Sequence, residues 1–339
     1  MKLKKILLVL ISVVMLCIGI ICMLIIPRGI SAGRPEIRWT GDNKPYAYTA
    51  VFFPETEGVE YNDITEYRRS LTSYIKEDSI EIPQDARAFI DSYSAYKSTE
   101  LVNQDKDSTC KVNVCAYGGS YSFFHPMELL CGSFFDDDDI MKDKIVLDEN
   151  AAWFLFGSSD ICGKYVSVGE KVFYISGVVR ADKNDSEMTA YGKRPRVYIS
   201  FDAYKEISES GAITCYEIVY PDIVTNYAYK KLSEAVKGDS YSADAESDSE
   251  TGQNDGAVII NITDRFKLKN VWKVLASYGK RSAQTNGIIY PYWENECRKA
   301  EDYCAAALLW CIIWGVVTAC YVYYFVRCFI KRKKAVHGL

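Results

Sequence analysis

The sequence predicts an α+β protein: an extracytoplasmic split α/β domain with a β-rich inserted subdomain, flanked by two transmembrane helices. Three observations predict this class. Long apolar runs lie at both ends of the 339-residue chain. The segment between them opens with a strand–helix–strand pattern, which indicates a mixed sheet with a helix on one face. Its middle part is rich in short β-branched and aromatic strands.

The N-terminal run, residues 6–26, is predicted to be transmembrane helix 1. It holds no charged residue, and a helix crosses a hydrocarbon core with about 20 residues. The alternative is a cleaved signal peptide, whose apolar part usually has only about 7–15 residues. Ile30-Ser31-Ala32 is a poor cleavage site because Ile30 stands where a small residue is needed, so we expect an uncleaved helix.

The C-terminal run belongs to residues 294–330, which we predict to form a stalk and transmembrane helix 2. Basic residues flank both runs: Lys2, Lys4 and Lys5 precede the first, and Arg327 and Lys331–Lys334 follow the second. Lys and Arg concentrate on the cytoplasmic side of a membrane. Both termini are therefore predicted to be cytoplasmic, with residues of about 28–303 outside the plasma or inner membrane.

The charge of the outer segment is strongly negative. Eight of the 40 basic residues flank the runs, so the segment between them carries 32 basic residues against all 45 acidic ones, a net charge of −13. Such a surface is poorly suited to nucleic acid or to an anionic membrane surface. We expect no nucleic-acid partner.

The outer segment divides into three predicted parts. Residues 46–120 form a first α/β half, 121–205 the inserted β-rich subdomain, and 206–290 a second α/β half with a mobile loop at 238–256. The stretch from Arg28 to Pro45 is predicted to be a linker. Apolar spacing predicts helices at 63–77, 149–156, 225–237 and 266–278, and strands at 46–53, 87–102, 111–117, 144–148, 164–168, 171–179, 196–200, 213–220 and 257–262.

The twelve cysteines do not form a metal-binding pattern. The sequence lacks C-x-x-C and contains only two histidines, His125 and His337, so zinc is not expected. Cys110 and Cys115 are five residues apart and should face opposite sides of a strand. One or two disulfides remain an alternative to free buried thiols, and the redox compartment stays open.

No catalytic or cofactor site is predicted. Residues 157–164 resemble a P-loop only superficially, because Tyr165 stands where Ser or Thr must hold magnesium. The run from Asp136 to Asp139 lacks the alternating ligand spacing of a calcium loop and is interpreted as a solvated acidic turn. His125, between Phe124 and Pro126, is interpreted as a packed loop residue, and the chain is not expected to be an enzyme.

Four segments occur in an order that resembles a known family. They are ELLCGSFF at 128–135, DKIVLDENAAWFLFG at 143–157, CGKYVSVGEKVFYISGVV at 162–179 and RPRVYISFDAY at 194–204. Together they resemble the extracytoplasmic core domain of MacB-type (FtsX-like) ABC transporter permeases. The resemblance covers residues 128–204 well, and the flanking halves only by their predicted architecture.

The resemblance implies structural rather than catalytic roles for the matching residues. Ser133 replaces the Arg that is usual in the family. Glycines at these positions suit a helix stop and tight turns. The residues that fill the family pattern are Gly132, Phe134, Phe135, Phe156, Gly157, Gly163, Lys164, Gly177, Val178 and Val179.

The resemblance also implies a function and partners. Family permeases usually carry four membrane helices, whereas this sequence predicts two, so we expect either a half-permease that another polypeptide completes or an outer domain retained without transport. The first hypothesis is a non-enzymatic subunit or accessory of an ABC export or mechanotransmission complex, with a separate ABC ATPase and a fuller permease as partners. The alternative is a membrane-anchored extracellular binding or sensor module without an ATPase.

The apolar helices are also predicted to pack together and with partner helices, giving a homo- or hetero-oligomer. Gly19 in the first run and Gly315 with Ala319 in the second offer small surfaces for close approach. Gly315-x-x-x-Ala319 has the small-xxx-small spacing of helix interfaces. Such pairs also arise by chance in apolar helices.

The outer segment should fold without the membrane runs, because it has apolar strands and helices of its own. We expect a fragment from Arg34 to Tyr292 to be monodisperse and to melt cooperatively, as monitored by circular dichroism and size-exclusion chromatography. Aggregated material, obtained where the full chain folds, would contradict this.

Overall fold

The computed structural model describes residues 2–30, 33–41, 45–54, 58–82, 87–136, 138–181, 194–208, 210–237, 256–281, 288 and 290–336. The chain forms two compact units. The sheet unit contains residues 32–264 and 283–296, and the helical unit contains residues 1–31, 265–282 and 297–339. Apart from Gly256, the loop predicted at 238–256 lies outside the described residues.

Nine α-helices are assigned within the described residues, and a 3₁₀ turn at Ile26–Gly29 follows the first. They are α1 (Lys2–Ile25), α2 (Pro35–Thr40), α3 (Tyr61–Glu77), α4 (Tyr121–Phe124), α5 (Glu149–Phe156), α6 (Phe201–Ile207), α7 (Tyr227–Lys237), α8 (Leu268–Arg281) and α9 (Tyr292–Val336).

The strands of the described residues join in one ten-stranded sheet. They are β1 (Tyr46–Phe52), β2 (Ile90–Asn103), β3 (Ser108–Gly119), β4 (Leu129–Gly132), β5 (Lys144–Asp148), β6 (Tyr165–Val168), β7 (Lys171–Val179), β8 (Arg196–Ser200), β9 (Cys215–Pro221) and β10 (Val258–Asn261).

The sheet is mixed, as predicted. Its order is β10-β1-β9-β2-β3-β8-β5-β7-β4, and β6 pairs with β7 and β2. The pairs β3–β8 and β5–β7 are parallel, and the other pairs are antiparallel. The strands of segment 121–205 therefore extend the sheet of the flanking halves. The exact domain bounds at 120, 205 and 290 stay predictions.

One face of the sheet carries the main apolar core. Helices α3, α5, α6 and α7 supply buried side chains to it, among them Ile64, Leu71, Leu155 and Leu232. Strand alternation places Cys110 in this core and Cys115 in a second cluster with Tyr117. The two cysteines thus face opposite sides, as predicted from their spacing.

Helix α3 begins two residues before the predicted start at Asp63. The Asp63 side chain accepts a hydrogen bond from the backbone N–H of Glu60 at 2.8 Å, and the Glu60 side chain accepts from the N–H at Asp63 in return. Such a capping box satisfies donors that the first helical turn leaves free. Asp63 is therefore the third helical residue rather than the residue at which the helix begins.

A bidentate ion pair fixes α3 to the sheet. Arg68 donates from Nε to Oδ2 of Asp91 at 2.6 Å and from a terminal nitrogen to Oδ1 at 3.1 Å. The Tyr216 hydroxyl donates to the same Oδ2 at 2.9 Å. A bidentate pair of this kind fixes the relative orientation of the two side chains and also strengthens their interaction.

Four short elements, α2, α4, α6 and β4, were not predicted from the sequence. Helix α2 interrupts the predicted linker between Arg28 and Pro45. Helix α4 precedes the first family segment, residues 128–135, and β4 lies within that segment. Helices α2 and α4 meet because Arg38 donates to the carbonyl oxygen of Phe123 at 2.7 Å, and Trp39 packs edge-on against the Phe123 ring. Elements of four to seven residues carry too few apolar repeats to reveal a period.

In the helical unit, α1, α8 and α9 share an apolar cluster. Met23 and Ile26 pack with Val271, Val274 and a set on α9 that comprises Cys304, Ala305 and Leu308. The indole N–H of Trp310 donates to the carbonyl oxygen of Met15 at 2.9 Å. The two apolar helices of one chain therefore pack together.

Helix α5 begins and ends where the sequence predicts. Asp148 caps its N-terminus by accepting a hydrogen bond from the N–H of Ala151 at 2.7 Å. Gly157 ends it in the left-handed conformation, with φ of 71° and ψ of 20°. A Cβ added at Gly157 would meet no atom within 4 Å, so a substitution there tests backbone strain alone.

Replacing Gly157 with Val should therefore lower the free energy of unfolding by about 1–2 kcal/mol, since a β-branched residue resists the left-handed conformation. Thermal melting measures the loss. Gly157→Asn is the matched control because Asn tolerates this conformation, and it should lose less. Equal melting temperatures for the Val variant and the parent chain would contradict the strain.

Candidate functional site

The candidate functional site is a buried polar cluster on the second face of the sheet, formed by Tyr48, His125, Glu217 and Trp293. Strand β1 supplies Tyr48, β9 supplies Glu217, the loop after α4 supplies His125, and the first turn of α9 supplies Trp293. All four residues lie in the sheet unit and are at most 4% exposed. We call this set the stalk-base cluster.

Glu217 is at the centre of the cluster. It is fully buried, and in the sheet register it lies between Ala50 of β1 and Ser92 of β2. His125 Nε2 lies 2.8 Å from its Oε1 and 3.0 Å from its Oε2, and the Tyr48 hydroxyl donates to Oε1 by a short hydrogen bond.

Trp293 closes the cluster with its ring. The indole is fully buried and stacks on the imidazole of His125, with centroids 5.1 Å apart and planes inclined by 28°. It also contacts Tyr48 and Phe52, at centroid distances of 6.3 and 5.7 Å. A fragment that stops at Tyr292 lacks this side chain, so a fragment extended to Glu296 keeps the core complete.

The cluster continues into a chain of hydroxyl and thiol groups. The ring of Tyr121 lies 4.7 Å from that of His125, and its hydroxyl lies 3.3 Å from the hydroxyl of Tyr96 and accepts from the thiol of Cys115 at 3.2 Å. Burial raises the pKa of both tyrosines well above the ordinary value and that of the Cys115 thiol to about 12. These groups therefore stay protonated and neutral at physiological pH.

The two side chains at the centre of the cluster are enclosed. The side chains of His125 and Glu217 are 3% and 0% exposed, and their hydrogen bonds go to each other and to Tyr48. The hydrogen bonds among Tyr48, His125 and Glu217 favour a single packing arrangement of these three side chains, whereas the buried indole nitrogen of Trp293 has no hydrogen-bond partner among the described residues. The prediction of His125 as a packed residue is confirmed, but its carboxylate partner was not foreseen.

The structure places the family-pattern residues along β4, β7 and α5. Gly132 pairs with Gly177 between β4 and β7. A Cβ on Gly177 would approach the carbonyl oxygen of Ser133 to 2.8 Å, so the two strands need their glycines for close approach. Val178 and Val179 point into the clusters on opposite faces of the sheet.

The remaining pattern residues surround the end of α5. Phe156 is in the main core, and the ammonium group of Lys164 lies 5.2 Å from its ring centroid. Gly163 follows in the turn before β6, and Gly157 ends the helix. Phe135 is buried in the second cluster, against which Phe134 packs. Their structural role stays a prediction.

The predicted helix-packing residues separate into two groups. A Cβ on Gly19 would come within 2.6 Å of the Cys311 sulfur, so Gly19 lies at the close approach of α1 and α9. A Cβ on Gly315 would meet nothing within 4 Å, and Ala319 is exposed. The Gly315–Ala319 pair does not face Gly19, and its packing against a partner helix stays a prediction.

The acidic run forms a turn closed by its own hydrogen bonds. Asp136 N–H donates to Oδ2 of Asp139 at 2.9 Å, and the Lys144 ammonium group donates to the same oxygen at 2.9 Å. Asp137 lies outside the described residues. Across those residues, no three His, Cys, Asp or Glu side chains gather as a metal site requires.

Comparison with known proteins identifies the family. The model of the MacB-like periplasmic core domain matches residues 12–266, which is well over half of the chain. The chain belongs to the MacB-like periplasmic core domain family. It is a permease-type membrane protein, as the four sequence segments predicted.

The solved structures that resemble this chain have low sequence identity to it. The periplasmic region of MacB from Actinobacillus actinomycetemcomitans is 19% identical, with a TM-score of 0.43, and the match covers 69% of this chain and 96% of that one. The extracellular domain of the noncanonic ABC-type transporter YknZ from Gram-positive bacteria is 14% identical, with a TM-score of 0.40 and coverage of 63% and 100%. The comparison with curated proteins gave no match.

The described part of this MacB-like chain also contains two helices long and apolar enough to cross a membrane, Leu7–Gly29 and Tyr292–Cys328. A periplasmic core domain between two apolar helices fits a protein of the inner membrane. Members of the family work in ABC transporter complexes with ATPase partners.

Replacing His125 with Ala should destabilise the sheet unit, because Glu217 then stays buried with one donor fewer. Leaving a buried polar group without one of its hydrogen-bond partners costs about 1–3 kcal/mol, which corresponds to a fall in melting temperature of about 2–12 °C for a domain of this size. Differential scanning calorimetry measures the change. Ser73→Ala, which removes an exposed hydrogen bond to Glu77, is the control, and equal losses in both variants would contradict the role of the cluster.

Proposed function

We propose that this MacB-like chain is a non-enzymatic subunit or accessory of an ABC export or mechanotransmission complex. In this proposal a separate ABC ATPase drives movement of the membrane helices, and α9 passes that movement to the outer domain. Both termini lie in the cytoplasm, and residues of about 28–303 lie outside. A fuller permease subunit completes the membrane part.

The observation that carries the proposal is the position of Trp293 on α9. The helix runs without a break from Tyr292 to Val336, and its apolar part is the second candidate span. Trp293, in the first turn, is fully buried against His125, Tyr48 and Phe52. An α-helix has a fixed rise per residue held by backbone hydrogen bonds, so a displacement of the span along its axis acts on the stalk-base cluster.

A buried ion pair supports the same role in the helical unit. Arg265, three residues before α8, donates from Nε to Oε1 of Glu301 on α9 at 2.7 Å. The two side chains are 1% and 5% exposed. Buried ion pairs gain specificity of geometry rather than much net stability. The pair therefore fixes where α9 lies against the segment that leads into α8.

The stalk-base cluster itself supports the non-enzymatic part of the proposal. Its titratable side chains are buried beneath Trp293, and the neighbouring hydroxyl and thiol groups are held protonated by burial. A catalytic base must come within hydrogen-bond reach of a substrate. Groups enclosed in this way position the helix instead.

The proposal is tested with the full chain in its native membrane. We expect an ABC ATPase to copurify with the chain in mild detergent, as identified by mass spectrometry. Protease added to intact cells should cut the outer segment and leave tags at both termini uncut. Absence of any ATPase would favour the membrane-anchored binding or sensor module, and cleavage of a terminal tag would contradict the topology.

Transmission through α9 is tested by Lys299→Pro, with Lys299→Ala as the matched control. Proline breaks a helix interior at a cost of about 3 kcal/mol or more, and residue 299 lies between Trp293 and the apolar run. ATP and vanadate should change hydrogen exchange in β1 and β9 of the parent complex and the Ala variant but not of the Pro variant. An unchanged response in the Pro variant, with the ATPase still bound, would exclude α9 as the route.

A further inference from the structure

The sulfur atoms of Cys131 and Cys162 lie unusually close together in the sheet unit. Their Sγ atoms are 2.6 Å apart, whereas non-bonded carbon-sized atoms make optimal contact at about 3.5–4.0 Å. Cys131 lies on β4, and Cys162 lies in the turn between α5 and β6. Both residues are half-buried.

The backbone around the pair is fixed by its neighbour β7. Strand β4 pairs with β7 through Cys131 and Val178. On the other side, the N–H of Gly163 donates to the carbonyl oxygen of Ile175 at 2.9 Å, and the N–H of Ile175 donates to that of Lys164 at 2.8 Å. Because both cysteine-bearing segments are hydrogen-bonded to the same strand, the proximity of the sulfurs follows from the sheet rather than from a mobile loop.

Gly132 makes room for this contact. Its φ is +76°, and an added Cβ would lie 2.6 Å from the Cys162 sulfur and 2.0 Å from the carbonyl oxygen of Ser176. Any side chain at this position would displace the turn that carries Cys162. One of the family-pattern glycines thus keeps open the place where the sulfurs meet.

We propose that Cys131 and Cys162 form a disulfide in the extracytoplasmic domain. The inference uses the extracytoplasmic placement of the domain, since disulfides persist in oxidising compartments. The oxidant is a small-molecule or protein disulfide. One cysteine thiolate attacks the oxidant's disulfide, which forms a mixed disulfide and releases one thiolate of the oxidant. The other cysteine thiolate then attacks the cysteine sulfur of the mixed disulfide, which forms the Cys131–Cys162 bond and releases the oxidant's second thiolate. Two protons leave the thiols, and two electrons reduce the oxidant to its dithiol.

The bond would secure the edge of the sheet. Strand β4 is the last strand beyond β7 in the sheet order, and edge strands expose unpaired backbone groups. A disulfide between β4 and the turn before β6 would join this edge of the sheet to the segment that follows α5. It also closes a loop of 31 residues, which restricts the unfolded chain.

The reduced Cys162 thiol would react slowly with alkylating reagents. Burial first, and then the adjacent Cys131, raise the pKa of the Cys162 thiol to about 12. The thiolate is the reactive form, so Cys162 of a folded chain would be poorly labelled at pH 8 whether reduced or oxidised. Thiol counts therefore have to be made after denaturation.

The test uses the full chain, quenched in cells with acid and then denatured in N-ethylmaleimide. A non-reducing peptide map should contain the Cys131–Cys162 cross-linked peptide, and reduction should release both peptides. Recovery of both cysteines as N-ethylmaleimide adducts would overturn the proposal. The purified chain is also reduced and exposed to oxidised glutathione, and failure to form this cross-link would overturn the pairing whichever side of the membrane the domain occupies.

Stability measurements distinguish a bond from mere contact. Cys131→Ser and Cys162→Ser should each lower the melting temperature by about 5–10 °C, and the double variant should lose no more than either single one, because the bond is lost once. Dithiothreitol should lower the melting temperature of the parent and of the control Cys110→Ser, but not of the two single variants. Additive losses would overturn the proposal.

Discussion

The fully buried carboxylate of Glu217 is the constraint on which the second face of the sheet depends. A buried polar group is costly unless hydrogen-bond partners satisfy it. Strand β9 places this carboxylate between β1 and β2, so its donors have to come from β1 and from whatever covers the face. Tyr48 and His125 meet that requirement. The loop after α4 and the first turn of α9 are positioned by it.

The two faces of the sheet therefore differ in what covers them. The first face is covered by four helices over aliphatic and aromatic side chains, as in many α/β domains. The second face is covered by short elements and by the start of the helix that continues into the apolar run. A polar cluster specifies one arrangement more strictly than an apolar one. A single arrangement is suited to the face against which the first turn of α9 packs.

The sequence predicted the regular elements well because each of them repeats the apolar spacing of its helix or strand. Helix α5, strands β7 and β8 and the left-handed Gly157 lie where the pattern places them. It did not predict the stalk-base cluster, because Tyr48, His125 and Glu217 are far apart in the chain and each is unremarkable alone. Glu217 within an otherwise apolar strand was the available signal, since a buried acid needs partners. Strand order likewise depends on pairings that no local period reveals.

The position of β1 in the sheet has a consequence for synthesis of the chain. Its neighbours are β9 and β10, and 169 residues separate Tyr48 from Glu217. At roughly 5–20 residues per second, a ribosome needs about ten to thirty seconds to cover that distance. During this time β1, an almost wholly apolar strand, has emerged without either partner. The nascent chain thus passes through a stage in which an apolar strand is exposed without its partner strands. A holdase chaperone or the export machinery can bind the chain during this stage.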